Sequence, residues 1–254
     1  MVSPARWVAA PLIGLVMLAG VAAPASAAGS PAGIDAGATG PVVSGPTATS
    51  SWSAKVVYPT VARRAPRAGA RVTDRVGAVA AWDGGPVALM VLGAQRDPTN
   101  RLWLRVQLPD RPNGRWGWID ANFVRLRQTP WRVVIDRGAR QVSAYRAGRR
   151  VRSWPVVIGM AGTPTPRGLF AIYERVRQPP GSELGPYALQ LTAHSNTLFN
   201  FGGGPGRVAM HGRSGPLLSD PLGSARSHGC IRMQNGVLRW LTARARPGTP
   251  VEIR

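Results

Sequence analysis

Residues 210–233 read MHGRSGPLLSDPLGSARSHGCIRM, and this stretch decides how the rest of the chain is interpreted. It contains Cys230, the only cysteine in the sequence, together with His211 and His228, two of the three histidines. A free cysteine has a pKa of about 8.5 and becomes a thiolate beside a histidine, a helix N-terminus or a metal. We therefore expect Cys230, in a turn before a helix, to be a nucleophile, and His211, at the end of a short strand, to be its base.

Other interpretations of this cluster remain open at this point. His211, His228 and Cys230 are zinc-ligand types, but catalytic zinc sites usually show tightly spaced ligands such as HExxH, so we predict no metal and no other cofactor. A lone cysteine in an exported protein is typical of a reactive thiol or an intermolecular bridge, although a buried core cysteine is equally compatible with composition. The base needs an orienting partner, either Asp220 or a backbone carbonyl such as that of Gly212.

Charge and the N-terminus together narrow the class of partner. The chain has 32 Lys and Arg against 11 Asp and Glu, a formal charge of +21, which favours a polyanion: nucleic acid, anionic lipid or cell wall. Residues 1–27 combine an early Arg, an apolar run and an Ala-Ser-Ala site, the pattern of a signal peptide cleaved near Ala27. A retained membrane anchor is the alternative. We expect an exported, extracytoplasmic protein, which argues against nucleic acid.

The residues after the signal peptide predict a linker and then a small β domain. Residues 28–53 are rich in Ala, Gly, Pro, Ser and Thr, so we expect a flexible linker. Within residues 54–128, Leu102–Leu108 alternates apolar and polar residues, and a turn ending in Asn113-Gly114 leads to a return strand. WLRVQLPDRPNGRWGWIDANFVRL resembles the second half of a bacterial SH3-like domain, which implies a small β-barrel that docks onto wall peptides. The alternative, that Trp103, Trp116 and Trp118 serve the core and the closure of the barrel, is the favoured interpretation for each tryptophan taken singly.

Residues 130–254 predict a second, mostly β domain. Apolar runs separated by Gly and Pro loops indicate several strands, including one at Val208–Met210, and no segment shows βαβ alternation. One helix is predicted over residues 235–246, with Asn235 as its N-cap and Pro247-Gly248 ending it. The fold class is therefore mainly β with one packed helix.

The motif spacing resembles the YkuD-type L,D-transpeptidase family. Met210-His211-Gly212 is followed, after a spacer that ends at residue 226, by Ser227-His228-Gly229-Cys230, and residues 163–170 (TPTPRGLF) resemble an upstream family segment. The resemblance covers about residues 130–254. It implies a β-sandwich that cross-links peptidoglycan: a cysteine thioester forms on a donor tetrapeptide stem, D-alanine leaves, and an acceptor amine completes a 3-3 type cross-link.

The resemblance also implies a role for each motif residue. Cys230 would be the nucleophile, His211 the general base and acid, and the Gly212 carbonyl the group that orients His211. The pocket and oxyanion donors would be Ser227, His228 and Gly229, and the substrate contacts Met210, Arg232 and Asn235. Many members have asparagine where this chain has Arg232. For Arg232, a structural ion pair is an equal alternative to substrate binding.

Partners and alternative functions follow from the same resemblance. It implies peptidoglycan stem peptides as substrates, other anionic wall polymers as further partners, and carbapenem-type β-lactams as covalent inhibitors. Two alternatives remain: an L,D-carboxypeptidase, in which water resolves the thioester, and a non-catalytic wall-binding protein.

Overall fold

The computed structural model describes residues 42–200 and 204–254. The predicted signal peptide and residues 28–41 of the predicted linker lie outside the described residues. The first strand begins at Ser51, so the last three residues of the predicted linker belong to a sheet. No helix in the described part of the chain is both long and apolar enough to cross a membrane.

The first domain is a seven-stranded antiparallel sheet. Its strands lie in the order β3-β2-β6-β5-β4-β1-β7, and their buried faces meet in one apolar cluster that includes Val56, Leu104 and Ile119. Trp103 is buried in this domain, whereas Trp116 is exposed. The strands are β1 (Ser51–Val56), β2 (Thr60–Arg63), β3 (Val72–Val76), β4 (Ala88–Arg96), β5 (Leu102–Gln107), β6 (Trp116–Asp120) and β7 (Val124–Thr129), with a 3-10 turn at Ala121–Phe123.

The described residues of the second domain form ten strands and one α-helix. An eight-stranded mixed sheet has the order β10-β9-β8-β17-β12-β13-β14-β16, and β11 pairs with β15 separately. The strands are β8 (Trp131–Asp136), β9 (Gln141–Arg146), β10 (Arg149–Pro155), β11 (Ile158–Gly159), β12 (Gly168–Arg177), β13 (Tyr187–His194), β14 (Arg207–His211), β15 (Ala225–Ser227), β16 (Ile231–Arg232) and β17 (Pro250–Ile253), with α1 at Asn235–Thr242 and a 3-10 turn at Gly215–Ser219.

One core fills the second domain. Val142 of β9 and Ile231 of β16 come from opposite ends of the eight-stranded sheet but belong to the same buried cluster, so the sheet curls around that core. The apolar stripe of α1, formed by Val237, Leu238 and Leu241, packs onto it. The domain is mainly β with a single α-helix among the described residues, as the sequence predicts. β14, which ends at His211, and β16, which directly follows Cys230, therefore rest on a packed support.

Polar side chains join the two domains. The Gln107 amide donates to the Leu169 carbonyl at 2.7 Å and accepts from the Thr192 hydroxyl at 2.7 Å. Asn113, in the turn after β5, donates to the His194 carbonyl and accepts from the His194 amide, both at 2.8 Å. Because Gln107, Thr192 and His194 are buried, these hydrogen bonds are shielded from water and fix one domain against the other.

Candidate active site

His211 is the last residue of β14, and Cys230 directly precedes β16, the neighbouring strand at the edge of the second sheet. Strands β14 and β16 pair in parallel, with Met210 opposite Ile231, and Cys230 directly precedes that register. Side chains alternate between the two faces of a strand. Met210 and Ile231 are fully buried in the core, so His211 belongs to the opposite face of β14. The Cys230 thiol takes a backbone hydrogen bond from Ala209 of the same strand. The sheet thus brings together two residues that lie 19 positions apart in sequence (230 − 211).

A backbone carbonyl orients the His211 ring. The Nδ1 atom lies 2.8 Å from the Gly212 carbonyl oxygen, and because a carbonyl only accepts, Nδ1 carries the proton and Nε2 is left as the acceptor. Burial lowers the pKa of His211 to about 4, and the positive charge of Arg232 acts in the same direction, whereas the bond to Gly212 opposes it. The imidazole is therefore neutral near pH 7 and able to take a proton at Nε2.

The Cys230 thiol is protonated in the resting state. Its side chain is partly exposed, and burial of the sulfur raises its pKa, although a backbone hydrogen bond from Ala209 and the Arg232 charge act in the opposite direction. A neutral imidazole beside a neutral thiol is an acid–base pair rather than a preformed ion pair. Proton transfer to the imidazole must therefore accompany attack by the sulfur.

Ser227 shapes the turn that presents Cys230. Its hydroxyl is buried, donates to the Cys230 carbonyl at 2.6 Å and accepts from the Gly229 amide at 3.1 Å. Gly229 has a φ of 113°, a backbone conformation that side chains strongly disfavour. The Gly229 amide, one of the predicted oxyanion donors, is therefore engaged inside the turn. The His228 side chain is exposed.

The loop between β11 and β12 is hydrogen-bonded to the turn that presents Cys230. Thr165 is fully buried; its hydroxyl accepts from the Gly159 amide at 2.9 Å and donates to the Gly229 carbonyl at 2.8 Å. A Cβ on Gly159 would lie 2.3 Å from the Thr163 carbonyl oxygen, so only glycine fits there. The sequence singled out residues 163–170 by family resemblance alone. Two threonines set between prolines and glycines were the only local indication that side chains hold this loop.

Asn235 holds the segment after His211 in place. Its Oδ1 atom accepts from the Arg213 amide at 2.9 Å, and a Cβ on Gly212 would lie 2.0 Å from the same oxygen. The prediction that Asn235 is the N-cap of α1 is wrong: Gln234 is the N-cap, without a side-chain capping bond, and the helix ends at Thr242 rather than at residue 246. The side chain is turned towards β14 instead, where it fixes the carbonyl that orients His211.

Arg232 forms an ion pair within the site. Its guanidinium lies 2.5 Å from the Asp220 carboxylate, and the Arg232 side chain is 11% exposed. Arg213 also donates to the Asp220 backbone carbonyl. Asp220 therefore holds two arginines, while His211 takes the Gly212 carbonyl as its partner. The role of Arg232 in substrate binding stays a prediction.

Met210 and His194 lie away from the site face. The prediction that Met210 contacts substrate disagrees with the structure, because its side chain is fully buried in the core on the opposite face of β14. His194 is buried at the end of β13, where burial lowers its pKa to about 4. Within the described ranges, no group of three or more His, Cys, Asp and Glu side chains is arranged to hold a metal ion.

The second domain matches a known family along its length. Residues 130–253 match the sequence model described as L,D-transpeptidase catalytic domain, YkuD, which confirms the resemblance predicted for this part of the chain. Two curated relatives, each named as a candidate L,D-transpeptidase YkuD, are 34% identical over 125 residues in Bacillus licheniformis and 31% identical over 124 residues in Bacillus subtilis. Each match covers 49% of this chain, which spans 66% of the length of either relative.

Solved structures described as L,D-transpeptidases are also similar to this chain. An L,D-transpeptidase from Mycobacterium smegmatis is 20% identical with a TM-score of 0.41, covering 79% of this chain and 93% of that one. The catalytic domain of the Enterococcus faecium L,D-transpeptidase acylated by ertapenem is 21% identical with a TM-score of 0.36, covering 49% of this chain and 96% of that one.

Proposed function

We propose that this protein is a peptidoglycan L,D-transpeptidase that uses Cys230 as its nucleophile. The observation that supports the proposal most is that His211 ends β14 while Cys230 directly precedes β16, the strand paired with β14. In addition, Nδ1 of His211 is bonded to a carbonyl, so that Nε2 can act as a base. The match of residues 130–253 to an L,D-transpeptidase catalytic domain supports the substrate class.

In the first step the thiol attacks the donor stem. The Cys230 sulfur bonds to the carbonyl carbon of the peptide bond that follows the third stem residue, and its proton passes to Nε2 of His211. The tetrahedral oxyanion would take hydrogen bonds from backbone amides of the turn that presents Cys230, each worth roughly 3–4 kcal/mol of transition-state stabilisation. The carbon–nitrogen bond then breaks, the departing D-alanine amine takes the proton from His211, and a thioester remains.

In the second step an acceptor amine resolves the thioester. His211, neutral again, accepts a proton from the attacking nitrogen, the new amide bond forms, and the sulfur leaves and is reprotonated by His211. Water in place of the amine would give the L,D-carboxypeptidase reaction by the same route. The chemistry at Cys230 is common to both, so the nature of the acceptor decides between cross-linking and hydrolysis.

Carbapenem-type β-lactams would be covalent inhibitors on this proposal. The strained lactam carbonyl takes the place of the stem carbonyl, the sulfur opens the ring, and the nitrogen that would leave stays tethered to the acyl group. No D-alanine departs, so the acyl group blocks the site. The acylated Enterococcus faecium catalytic domain is a related protein with such an adduct.

We also propose that the N-terminal part of the chain directs the enzyme to its substrate. Residues 1–27 would export it to the extracytoplasmic wall. Residues 54–128 would form an SH3-like module that docks onto wall peptides. The hydrogen bonds of Thr192 to Gln107 and of His194 to Asn113 would keep such a module in a fixed orientation to the catalytic domain.

Incubation with a soluble disaccharide-tetrapeptide tests the proposed reaction. The purified protein should release D-alanine and form a cross-linked dimer, both measured by mass spectrometry, and Cys230→Ala should do neither. D-alanine release without dimer would identify the carboxypeptidase. Full activity in Cys230→Ala would refute the mechanism.

A further inference from the structure

A strongly basic groove lies between the two domains. Its volume is about 650 Å³, and it is lined on one side by β1 and β7 of the first sheet and on the other by the segment that follows α1. Among the described residues that line it there is no acidic side chain and none of the proposed catalytic residues. Five exposed cations line it: Lys55, Arg125, Arg127, Arg244 and Arg246. We call it the junction groove.

The cations of the junction groove repel one another in the free protein. Lys55 lies directly opposite Arg125 in the β1–β7 register, and Arg127 lies two residues further along the same face of β7. Like charges placed directly opposite in a sheet are destabilising. The six ion pairs found within the described residues involve none of the five groove cations. The five cations are therefore not neutralised by a carboxylate of the described residues, and an anionic ligand would be attracted to them.

The groove has a fixed shape because the domains touch beside it. A Cβ placed on Gly248 would lie 2.3 Å from the Ser53 Cβ, so the turn after α1 packs closely against β1. Trp131 lines the groove and packs edge-to-face on Trp240, and the Arg244 guanidinium lies 4.1 Å from the Trp240 ring centre. Arg244 is thereby held at the rim, and the cations are presented along a preformed surface.

We propose that the junction groove binds the carboxylates of a peptidoglycan strand and so holds the polymer away from the catalytic cysteine. The inference rests on the proposed function, which supplies a substrate whose stems carry carboxylates. Arg125 and Arg127 are spaced by two strand residues, roughly 7 Å, so one small anion reaches only part of the cluster. A polymer with repeated carboxylates engages several cations at once, and exposed contacts that are weak singly then add up.

Neutralising two of the groove arginines tests this proposal in the full chain. Arg125→Gln/Arg127→Gln should bind purified sacculi about tenfold more weakly than the parent in co-sedimentation at 0.15 M salt. Arg125→Lys/Arg127→Lys, which keeps the charge, should bind close to the parent. The control Arg64→Gln/Arg67→Gln changes the same charge at exposed positions outside the groove and should also bind like the parent.

Stability and ligand chemistry are measured on the same proteins. Removing the repulsion should leave the melting temperature of Arg125→Gln/Arg127→Gln equal to or above that of the parent; if it is lower, the single variant Arg125→Gln replaces it. Amidating the sacculus carboxylates should reduce parent binding to the level of the double glutamine variant. Equal binding by that variant and the parent would overturn the proposal.

Two further outcomes separate this inference from its neighbours. If stripping phosphodiester polymers from the sacculi with hydrofluoric acid abolishes parent binding, the ligand is that polymer and the carboxylate assignment is wrong. Turnover of the soluble disaccharide-tetrapeptide by the parent is assayed alongside. Groove-dependent binding of sacculi without that turnover would leave the junction groove in place and remove the proposed reaction.

Discussion

Replacing Asn235 by alanine should impair Cys230 chemistry more than it impairs folding. The Asn235 side chain touches neither the thiol nor the imidazole through a hydrogen bond in the structure; its Oδ1 atom accepts from the Arg213 amide at 2.9 Å. Arg213 follows Gly212, whose carbonyl lies 2.8 Å from Nδ1 of His211. Removing Oδ1 therefore frees the segment that selects the tautomer and the orientation of the catalytic ring.

The magnitude follows from the burial of these groups. An unsatisfied buried amide costs about 1–3 kcal/mol, and the Arg213 amide is only partly buried, so we expect a loss of about 1 kcal/mol of unfolding free energy. For a chain of this size that corresponds to a melting temperature lower by about 2–4 °C. A catalytic group displaced by about 1 Å loses up to roughly 100-fold in rate, so acylation by a carbapenem should slow by roughly 10- to 100-fold.

Asn235→Asp is the matched control, because it keeps an oxygen acceptor at the same position. The rate of adduct formation is measured by intact-protein mass spectrometry, and stability is measured by thermal melting of the same samples. The alanine variant should be slow, and the aspartate variant should approach the parent. Parent-like acylation by Asn235→Ala despite a lowered melting temperature would show that the segment does not position His211.

Three further predictions concern protonation and support of the site. The rate of acylation should fall as the pH decreases through about 4, because protonated His211 cannot accept the thiol proton, and it should not decline on the alkaline side. An acid limb near 6.5 in the pH–rate profile would contradict this. Thr165→Val leaves the Gly159 amide and the Gly229 carbonyl without their hydroxyl partner, so chemical denaturation should show a loss of about 1–3 kcal/mol, and an unchanged midpoint would argue against the support role. Burial lowers the pKa of His194 from 6.5 to about 4, so its contribution to stability is present above pH 6.5 and is lost towards pH 4. Over that range the parent should lose up to about 3 kcal/mol more unfolding free energy than His194→Asn. Equal losses in denaturation curves would refute this.

The sequence indicates the proposed reactive pair because rare residue types stand at a family spacing. Cys230 and His211 are identifiable from their scarcity and from the Ser-His-Gly-Cys order. The face of the strand to which each side chain belongs can also be predicted in part. Side chains alternate along a strand, so with His211 at the site, Met210 has to point into the core. The prediction of Met210 as a substrate contact neglected that alternation.

The supporting contacts depend on tertiary structure and could not be predicted. Asparagine is a preferred N-cap residue, but the side-chain oxygen of Asn235 accepts a hydrogen bond from the Arg213 amide, 22 residues earlier, instead of capping α1. The Asp220–Arg232 ion pair forms because a 3-10 turn brings Asp220 back to β16, which no local pattern indicates. The Thr165 bonds to Gly159 and to the turn before Cys230 span up to 64 residues.

The clustering of charge in the junction groove could not be predicted from the sequence either. The sequence gives the excess of arginine, which could reflect codon usage alone. Only the register that sets Lys55 opposite Arg125, and the packing of Gly248 against Ser53, reveal that some of these charges converge between the domains.

Covalent trapping of the thiol tests the central claim most directly. The protein is incubated with a carbapenem, digested with trypsin and mapped by mass spectrometry; cleavage after Arg226 and Arg232 yields a peptide of residues 227–232 that contains Cys230. We expect one drug mass on that peptide and none on the Cys230→Ala protein. A protein that stays unmodified, or an adduct on any other residue, would contradict the assignment of Cys230 as the nucleophile.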